Sequence, residues 1–372
     1  MTVERALARI DVGAIERNCA QLRSLLTGNA ELCAVVKADG YGHGAVWAAR
    51  AALAGGASWL GVATAAEAED LRRHGLPGPI LVMGALTPEE VRAALEADAD
   101  VVAWKQEFVR LLAERAPPGT RAPRVHVKLD TGMGRLGTSD PDEARAVAAA
   151  AASDERLVLA GLMTHFATAD EPEDEHFPYQ LERFSRFAAE MRESYPGLRV
   201  HAANSAAAYR DSAAHFDMVR CGIAIYGLDP FHEDPAPRGL EPALSLCSYV
   251  ASVKRFEAGE SAGYGRTWRA AEPTLVGALP IGYGDGWRRG LSNASDVLVQ
   301  GRRRPLVGTI SMDNVTVDLG ADSEVEPGEP AVLIGRQDDE RILCEEIARR
   351  LATINYEITC GLSPRVRRVY DR

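Results

Sequence analysis

No stretch of the 372 residues approaches the run of about 18 uninterrupted apolar positions that a membrane-crossing helix needs, so no span is expected. The start of the chain carries Glu4, Arg5 and Arg9 and lacks the apolar core of a secretory signal. Positive charge is also short: 53 Asp and Glu stand against 42 Lys and Arg, a formal net charge of −11. That excess argues against a partner recognised through a nucleic-acid phosphate backbone. The local basic run Arg302-Arg303-Arg304 is expected to be an exposed turn. Cys19, Cys33, Cys221, Cys247, Cys344 and Cys360 form no C-x-x-C pair and no cluster with histidine. They give no reason to expect a metal site and read as the reduced thiols of a cytoplasmic protein. Internal repeats and low-complexity tracts are missing too.

What is present is a regular alternation. Short apolar runs at Leu32–Lys37, Trp59–Ala63, Ile80–Met83, Val101–Ala103, Arg124–Leu129, Leu157–Thr164, Leu198–Ala202 and Phe216–Arg220 read as strands. Between them, 44–54, 65–74, 88–97, 105–115, 141–152 and 176–194 read as helices, the last with Phe177, Leu181, Phe184, Ala188 and Met191 on one stripe. Strands alternating with helices imply an α/β fold with a parallel sheet, and eight strands close a TIM-type (β/α)8 barrel of about 250 residues. After Gly227 the texture changes. Residues 229–242 carry four prolines without periodicity and read as a linker. Beyond them, runs at Leu246–Phe256, Leu275–Leu279, Val297–Gln300, Pro305–Ile310, Val315–Leu319 and Ala331–Ile334, with one helix near 344–352, indicate a mostly β C-terminal domain. The expected division is a barrel over 1–236 and a β domain over 237–372.

In a parallel barrel the reactive residues gather at the C-terminal ends of the strands. The first strand ends at Lys37 and opens into a glycine-rich loop with Tyr41; the fifth ends at Lys128, ahead of a loop carrying Arg135; the sixth ends at His165. The seventh runs into Asn204-Ser205, and the eighth ends at Arg220, followed by Gly222 and Ile223. Singly, each residue has a structural explanation, such as a snorkelling lysine, a cap or a surface ion pair. Jointly they put ionisable groups on one rim. A lysine in a barrel mouth can form a Schiff base. The loops after the last two strands commonly hold phosphate, here with the Ser205 hydroxyl, the Asn204 amide and the backbone around Gly222, which permits close approach. Together they point to pyridoxal 5′-phosphate (PLP) as cofactor.

The motifs A-V-V-K-A-D-G-Y-G-H-G (34–44), K-L-D-T-G-M-G-R-L-G (128–137), T-H-F-A-T-A-D (164–170), N-S (204–205), R-C-G-I-A-I-Y-G (220–227), A-G-Y-G-R-T-W (262–268), I-G-Y-G-D-G (281–286), G-T-I-S-M-D (308–313) and N-Y-E-I (355–358) run in order along nearly the whole chain. In them the chain resembles the alanine racemases, two-domain PLP enzymes with a barrel and a β domain. The resemblance implies an isomerase that interconverts L- and D-alanine, supplying D-alanine for peptidoglycan. It implies that Lys37 carries PLP and serves as one base, with Tyr264 as the opposite base. Tyr41, Asn204, Ser205, Gly222, Ile223 and Tyr356 correspond to phosphate ligands, and Arg220, supported by His165, to the partner of the pyridine nitrogen. Arg135 corresponds to a contact of the cofactor's phenolic oxygen and the substrate carboxylate, and the Met312 N–H to a second carboxylate contact. Lys128 matches a lysine carbamylated in many members. Departures are confined to Asp39-Gly40 where Asn-Ala is common, Ser311 where cysteine is frequent, and Gly284 for alanine; none removes a reacting group.

The same resemblance implies a head-to-tail homodimer in which Tyr264 and Met312 of one subunit complete the barrel mouth of the other. Other readings stay open on the residues alone: a broader-specificity amino-acid racemase, an amino-acid decarboxylase, a non-catalytic PLP-binding homeostasis protein, or a barrel enzyme without PLP. The β domain bearing Tyr264 and Met312 counts against the homeostasis protein, which would resemble the barrel alone.

Overall fold

The structure is a computed structural model that describes residues 4–116 and 121–372. By internal contacts the chain divides into two compact units, residues 15–225 and residues 1–14 with 226–372. The division expected from the proline-rich segment fell at 236/237, with the N-terminus in the barrel. Two features account for the difference. The first strand, β1 (Leu7–Asp11), pairs antiparallel with Leu244–Tyr249 and parallel with Arg367–Asp371, both in the second unit. The proline-rich segment is also anchored within that unit. Asp229 is fully buried, its carboxylate bonded to Arg238 at 2.6 Å and its N–H donated to Glu345 at 3.0 Å.

The first unit is the expected barrel. Strands β2 (Glu31–Val35), β3 (Trp59–Val62), β4 (Ile80–Val82), β5 (Ala99–Ala103), β6 (Arg124–Lys128), β7 (Val158–Met163), β8 (Arg199–His201) and β9 (Met218–Cys221) are all parallel and close into a ring, β9 pairing with β2. The helices that follow start where their sequences say they should. Thr64 and Thr87 each accept an N–H three residues on while Glu67 and Glu90 reach back, and Asp140 caps a helix with Pro141 in its first turn. Helix 176–194 buries the predicted stripe, but Gln180 is buried beside it. Inside the ring Cys33, Trp59, Leu81, Val102, Met163 and Met218 form an apolar layer. Asp100, His126, His201 and Arg220 run through the same interior, each buried.

The second unit is mostly β, with a seven-stranded sheet containing β1 and a three-stranded sheet of Ser252–Phe256, Thr274–Leu279 and Val315–Gly320. Several details differ from expectation: the run expected as a strand at Pro305–Ile310 is strand only at Pro305, and a second helix, Asn355–Cys360, follows the expected one. The single run expected at 246–256 is two strands in different sheets, Leu244–Tyr249 and Ser252–Phe256. The basic turn expected at 302–304 is itself strand, Arg302–Pro305, paired with Asp296–Val299 through a Gln300-Gly301 turn in which both residues have positive φ (52° and 66°). Arg303 is held there by Glu346 at 2.8 Å and Glu340 at 3.1 Å. Among the described residues no helix is long and apolar enough to cross a membrane.

Gly161 of β7 lies opposite His126, and a Cβ there would stand 2.2 Å from His126 Nδ1 and 2.9 Å from the Arg199 carbonyl oxygen. Gly161→Ala is therefore expected to destabilise the barrel by about 1–3 kcal/mol through overpacking, seen as an earlier transition in thermal denaturation of the full chain. A melt superimposing on that of the parent would show that the strands have room for the methyl group.

Candidate active site

Lys37 follows β2 and opens an unusual turn. Ala38, Asp39, Gly40 and Tyr41 have φ of 52°, 53°, 60° and 54°, one turn of left-handed helix. Only glycine adopts this conformation without steric cost, so the three other residues together store roughly 3–6 kcal/mol at 1–2 kcal/mol each. Neighbouring groups hold the turn. The half-buried Glu67 carboxylate accepts the Ala38 N–H at 2.7 Å with one oxygen, and the Ala63 and Thr64 N–H groups at 2.8 and 3.1 Å with the other. The Asp39 side chain accepts the Ala45 N–H at 3.0 Å. That contact gives the departure at Asp39 a local structural role: it takes the first N–H of the helix that follows.

The turn brings the Tyr41 ring against the loop after β9. A Cβ on Gly222 would come 2.3 Å from the Tyr41 hydroxyl, so only glycine fits beneath it. Ser205 Oγ, 3% exposed as a residue, accepts the Gly222 N–H at 3.0 Å and the Ala224 N–H at 3.4 Å. Asn204 caps the short helix 205–210 through the Ala207 N–H, and Ile223 opens a tight turn directly after Gly222. The Tyr41 and Ser205 hydroxyls thus meet around a glycine, polar groups of the kind that hold a phosphate.

The opposite side of the barrel mouth is cationic. Lys128 is buried at the end of β6, and burial, with Arg220, Arg135 and Lys37 nearby, pulls its ammonium down to about 8. Arg135 itself is exposed, on a loop that Asp130 organises by accepting the N–H groups of Gly132, Met133 and Arg135 at 2.9, 2.7 and 3.2 Å. Burial pushes the Asp130 carboxyl up, but these backbone donors outweigh it and leave it below its usual range. His165 is held well below the usual imidazole value by burial and by the surrounding Arg220, Lys128, Arg135 and Lys37 charges, so it is neutral at pH 7. Arg220 is 3% exposed. It donates from Nη2 to the Thr164 and Ala202 carbonyls at 2.8 and 2.9 Å and from Nη1 to His201 at 2.8 Å, with His165 Nδ1 at 3.4 Å.

Several supporting residues went unassigned in the sequence. Gln180 joins both loops, donating to Thr131 Oγ1 and the His165 carbonyl at 3.1 Å each and accepting the Ala167 N–H at 2.8 Å. Its signal was a polar residue beside an apolar stripe. Arg210 gathers the acidic segment after β7 by donating to the carbonyls of Thr168, Glu171, Pro172 and Asp174 at 2.7–3.0 Å. Glu67 was legible only as half of a capping box.

Three predicted site residues lie in the other unit. Tyr264 is 73% exposed between Gly263 and Gly265, both at positive φ, and Met312 is 52% exposed. The Tyr283 and Gly284 N–H groups donate to the Ser311 and Met312 carbonyls, which runs the segment of a further exposed aromatic, Tyr283, alongside that of Met312. Arg266, two residues after Tyr264, donates its Nε–H to Ser261 Oγ at 2.7 Å. Tyr356 is half-buried on helix Asn355–Cys360, whose Asn355 is fully buried and bonded to Glu345 at 2.9 Å.

Two family models match the chain: alanine racemase, N-terminal domain, over residues 10–230, and alanine racemase, C-terminal domain, over residues 243–370. Alanine racemase 1 of Bacillus subtilis is 43% identical over 365 residues, 98% of this chain and 92% of that protein. The Geobacillus stearothermophilus alanine racemase is 42% identical over 367 residues, 98% and 93% of the two chains. Among solved structures, the alanine racemase of D-cycloserine-producing Streptomyces lavendulae matches with a TM-score of 0.94 at 37% identity, covering 100% of this chain and 98% of that one. The alanine racemase from E. faecalis matches with a TM-score of 0.92 at 37% identity, covering both chains in full.

Glu67→Ala would leave three N–H groups without their acceptor, a loss of about 1–3 kcal/mol locally. Backbone hydrogen exchange across residues 37–44 is expected to speed up by roughly tenfold or more, with Glu67→Gln, which keeps one acceptor oxygen, in between. Unchanged exchange in Glu67→Ala would show that the left-handed turn stands without the carboxylate.

Proposed function

The chain belongs to the alanine racemase family, and on that basis we propose that its barrel mouth binds PLP and interconverts L- and D-alanine with two bases, Lys37 and Tyr264. The activity, racemisation of alanine, is that of the family's relatives. The proposed role is to supply D-alanine for peptidoglycan from the cytoplasm. One observation carries the cofactor reading: the Tyr41 hydroxyl packed where a Gly222 Cβ would be, beside Ser205, across a mouth lined by Lys37, Lys128, Arg135 and Arg220. An anionic phosphate at one end and a carboxylate-bearing substrate at the other suit that charge distribution.

Lys37 would attach PLP in the resting enzyme, and the cofactor would supply an electron sink that acidifies the Cα–H of bound alanine. The chain's own groups do the rest. Tyr41, Asn204, Ser205, Gly222, Ile223 and Tyr356 hold the phosphate. Arg220 offers N–H groups and has no lone pair to accept a proton, so a ring nitrogen facing it stays unprotonated; among the described residues none takes its Nε–H. His165, neutral, lends a lone pair to that guanidinium. Arg135 and the Met312 N–H orient the substrate carboxylate. Lys37 Nζ takes or returns a proton on one face of Cα and the Tyr264 oxygen does so on the other.

Tyr264 and Met312 stand exposed on their own unit, as expected of residues that complete a site in a second copy. We therefore assign a homodimer with shared sites. Lys128 is the residue proposed for carbamylation. Its neutral amine adds to carbon dioxide, releasing one proton and forming an N–C bond, and the resulting anion would hold Arg135. Because its ammonium ionises at about 8 rather than near 10.4, the reactive neutral form accumulates through pH 8.

Lys37→Ala is expected to abolish both the visible cofactor band and the loss of optical activity from L-alanine, and Tyr264→Phe to slow racemisation by about 10²–10⁴-fold. Mixing the two variants should restore part of the activity; none in the mixture would indicate a site built from one chain. Exhaustive removal of carbon dioxide should lower activity, and the same concentration of dissolved carbon dioxide should restore it faster at pH 8.5 than at about pH 6.5. A labelled-carbon NMR spectrum without a carbamate signal that depends on Lys128 would count against the modification.

A further inference from the structure

The proposed mechanism uses none of Asp100, His126 and His201, yet all three are fully buried inside the barrel. They form a chain. Arg220 Nη1 lies 2.8 Å from His201 Nδ1, His201 Nε2 lies 2.8 Å from His126 Nδ1, and His126 Nε2 lies 3.0 Å from Asp100 Oδ2. The residues climb the ring from the second residue of β5, through the middle of β6 and the end of β8, to β9. At its outer end Asp100 is also paired with Arg124.

Both ends of this chain can play only one part. A guanidinium only donates, and a carboxylate only accepts. Arg220 therefore requires a bare Nδ1 on His201, which places the His201 proton on Nε2. That proton points at His126 Nδ1, which must be bare, so the His126 proton also lies on Nε2 and is given to Asp100. Every donation runs one way, from Arg220 to Asp100. Burial and the Arg220 charge hold His201 well below its usual value, in keeping with a neutral ring. Asp100 stays below its usual value because its bonds to His126 and Arg124 outweigh burial. Among the described residues Arg220 has no carboxylate in direct contact, so the chain is its link to a buried negative charge. The opposite His201 tautomer would turn an N–H toward the Arg220 N–H at 2.8 Å and drive the guanidinium off Nδ1.

We propose that Asp100, at the far end of the barrel from the active site, is a positioning residue for Arg220: through His126 and His201 it fixes the tautomer that holds and polarises the guanidinium. Its effect on the reaction rests on the reading of Arg220 as the partner of the cofactor ring nitrogen. Gly161 belongs to the same device, because the space it leaves is where His126 Nδ1 meets His201.

The first test needs no variant. Nitrogen NMR of the full-length, PLP-loaded protein with isotope-labelled histidine should show Nε2–H on both His126 and His201; an Nδ1–H on His201 overturns the proposal. Asp100→Leu removes the acceptor, and Asp100→Asn removes the charge while keeping an acceptor oxygen. In Asp100→Leu, kcat should fall about 10–100-fold, the range seen when an outer partner of a functional group is lost. KM for alanine should change by less than about threefold, the cofactor absorption should shift and the His201 nitrogen signals should move. Asp100→Asn should fall between Asp100→Leu and the parent. A folded Asp100→Leu with the parent's His201 signals and absorption overturns the proposal, whatever its melting temperature. A protein that takes up no PLP but shows both Nε2–H tautomers would sink the cofactor reading and leave the Asp100–Arg220 chain standing.

Discussion

The pairing of β9 with β2, which sets Cys33 opposite Arg220 and Ala34 opposite Cys221, closes the ring and brings the Lys37 turn beside the Gly222 loop. Residues from the two ends of the barrel sequence meet at this seam. The Tyr41 hydroxyl can rest over Gly222 only because the seam holds both backbones at that spacing. Parallel pairing needs a crossover between successive strands, so each strand delivers its last residue to the same rim. The cationic mouth follows from that geometry, since Lys37, Lys128 and Arg220 each stand at or just beyond a strand end.

The seam supports strain. A left-handed turn with three non-glycine residues is unfavourable in isolation, and here Glu67 and Asp39 bind the N–H groups on either side of it. The turn fixes the direction in which the chain leaves Lys37 and places Tyr41 four residues on. A looser loop would reach the same space, but with Tyr41 over a wider range of positions. Strain at a functional segment, offset by fixed neighbours, is a form of pre-organisation.

Charge sets the second constraint. Lys128 and Arg220 are buried at one rim with Lys37 and Arg135 close by, and uncompensated buried charge is costly. Two responses are visible. Lys128 lies nearer neutrality than an exposed lysine, and His165 and His201 stay uncharged. Arg220 keeps its proton although burial pulls it down to about 10, and its surplus charge is answered through two imidazoles by Asp100. A site poised for anionic ligands thus stays positive, with part of its counter-charge removed to the far end of the barrel.

All eight barrel strands and six of the helices between them could be read from the sequence, because a buried parallel strand is a short apolar run and an amphipathic helix has a fixed period; helix 205–210, under two turns long, shows no such period. The rim residues were readable for the same reason: a polar residue that ends an apolar run has few places to point. The role of β1 was not, since Leu7–Asp11 is short and its partners, Leu244–Tyr249 and Arg367–Asp371, lie at the other end of the chain. The hairpin at Gln300-Gly301 was hidden by three arginines whose exposed character masked a strand. Asp100, His126, His201 and Gln180 were each visible as polar residues in apolar surroundings, but nothing local says which of them touch. The sequence alone determined the strand order, the residues presented at the rim and the kinship with alanine racemases, because these depend on period, composition and motif order. Only the tertiary structure decided that Glu67 holds the Lys37 turn and that Asp100 answers Arg220, because those contacts join strands and loops distant in sequence and exist only once the ring has closed.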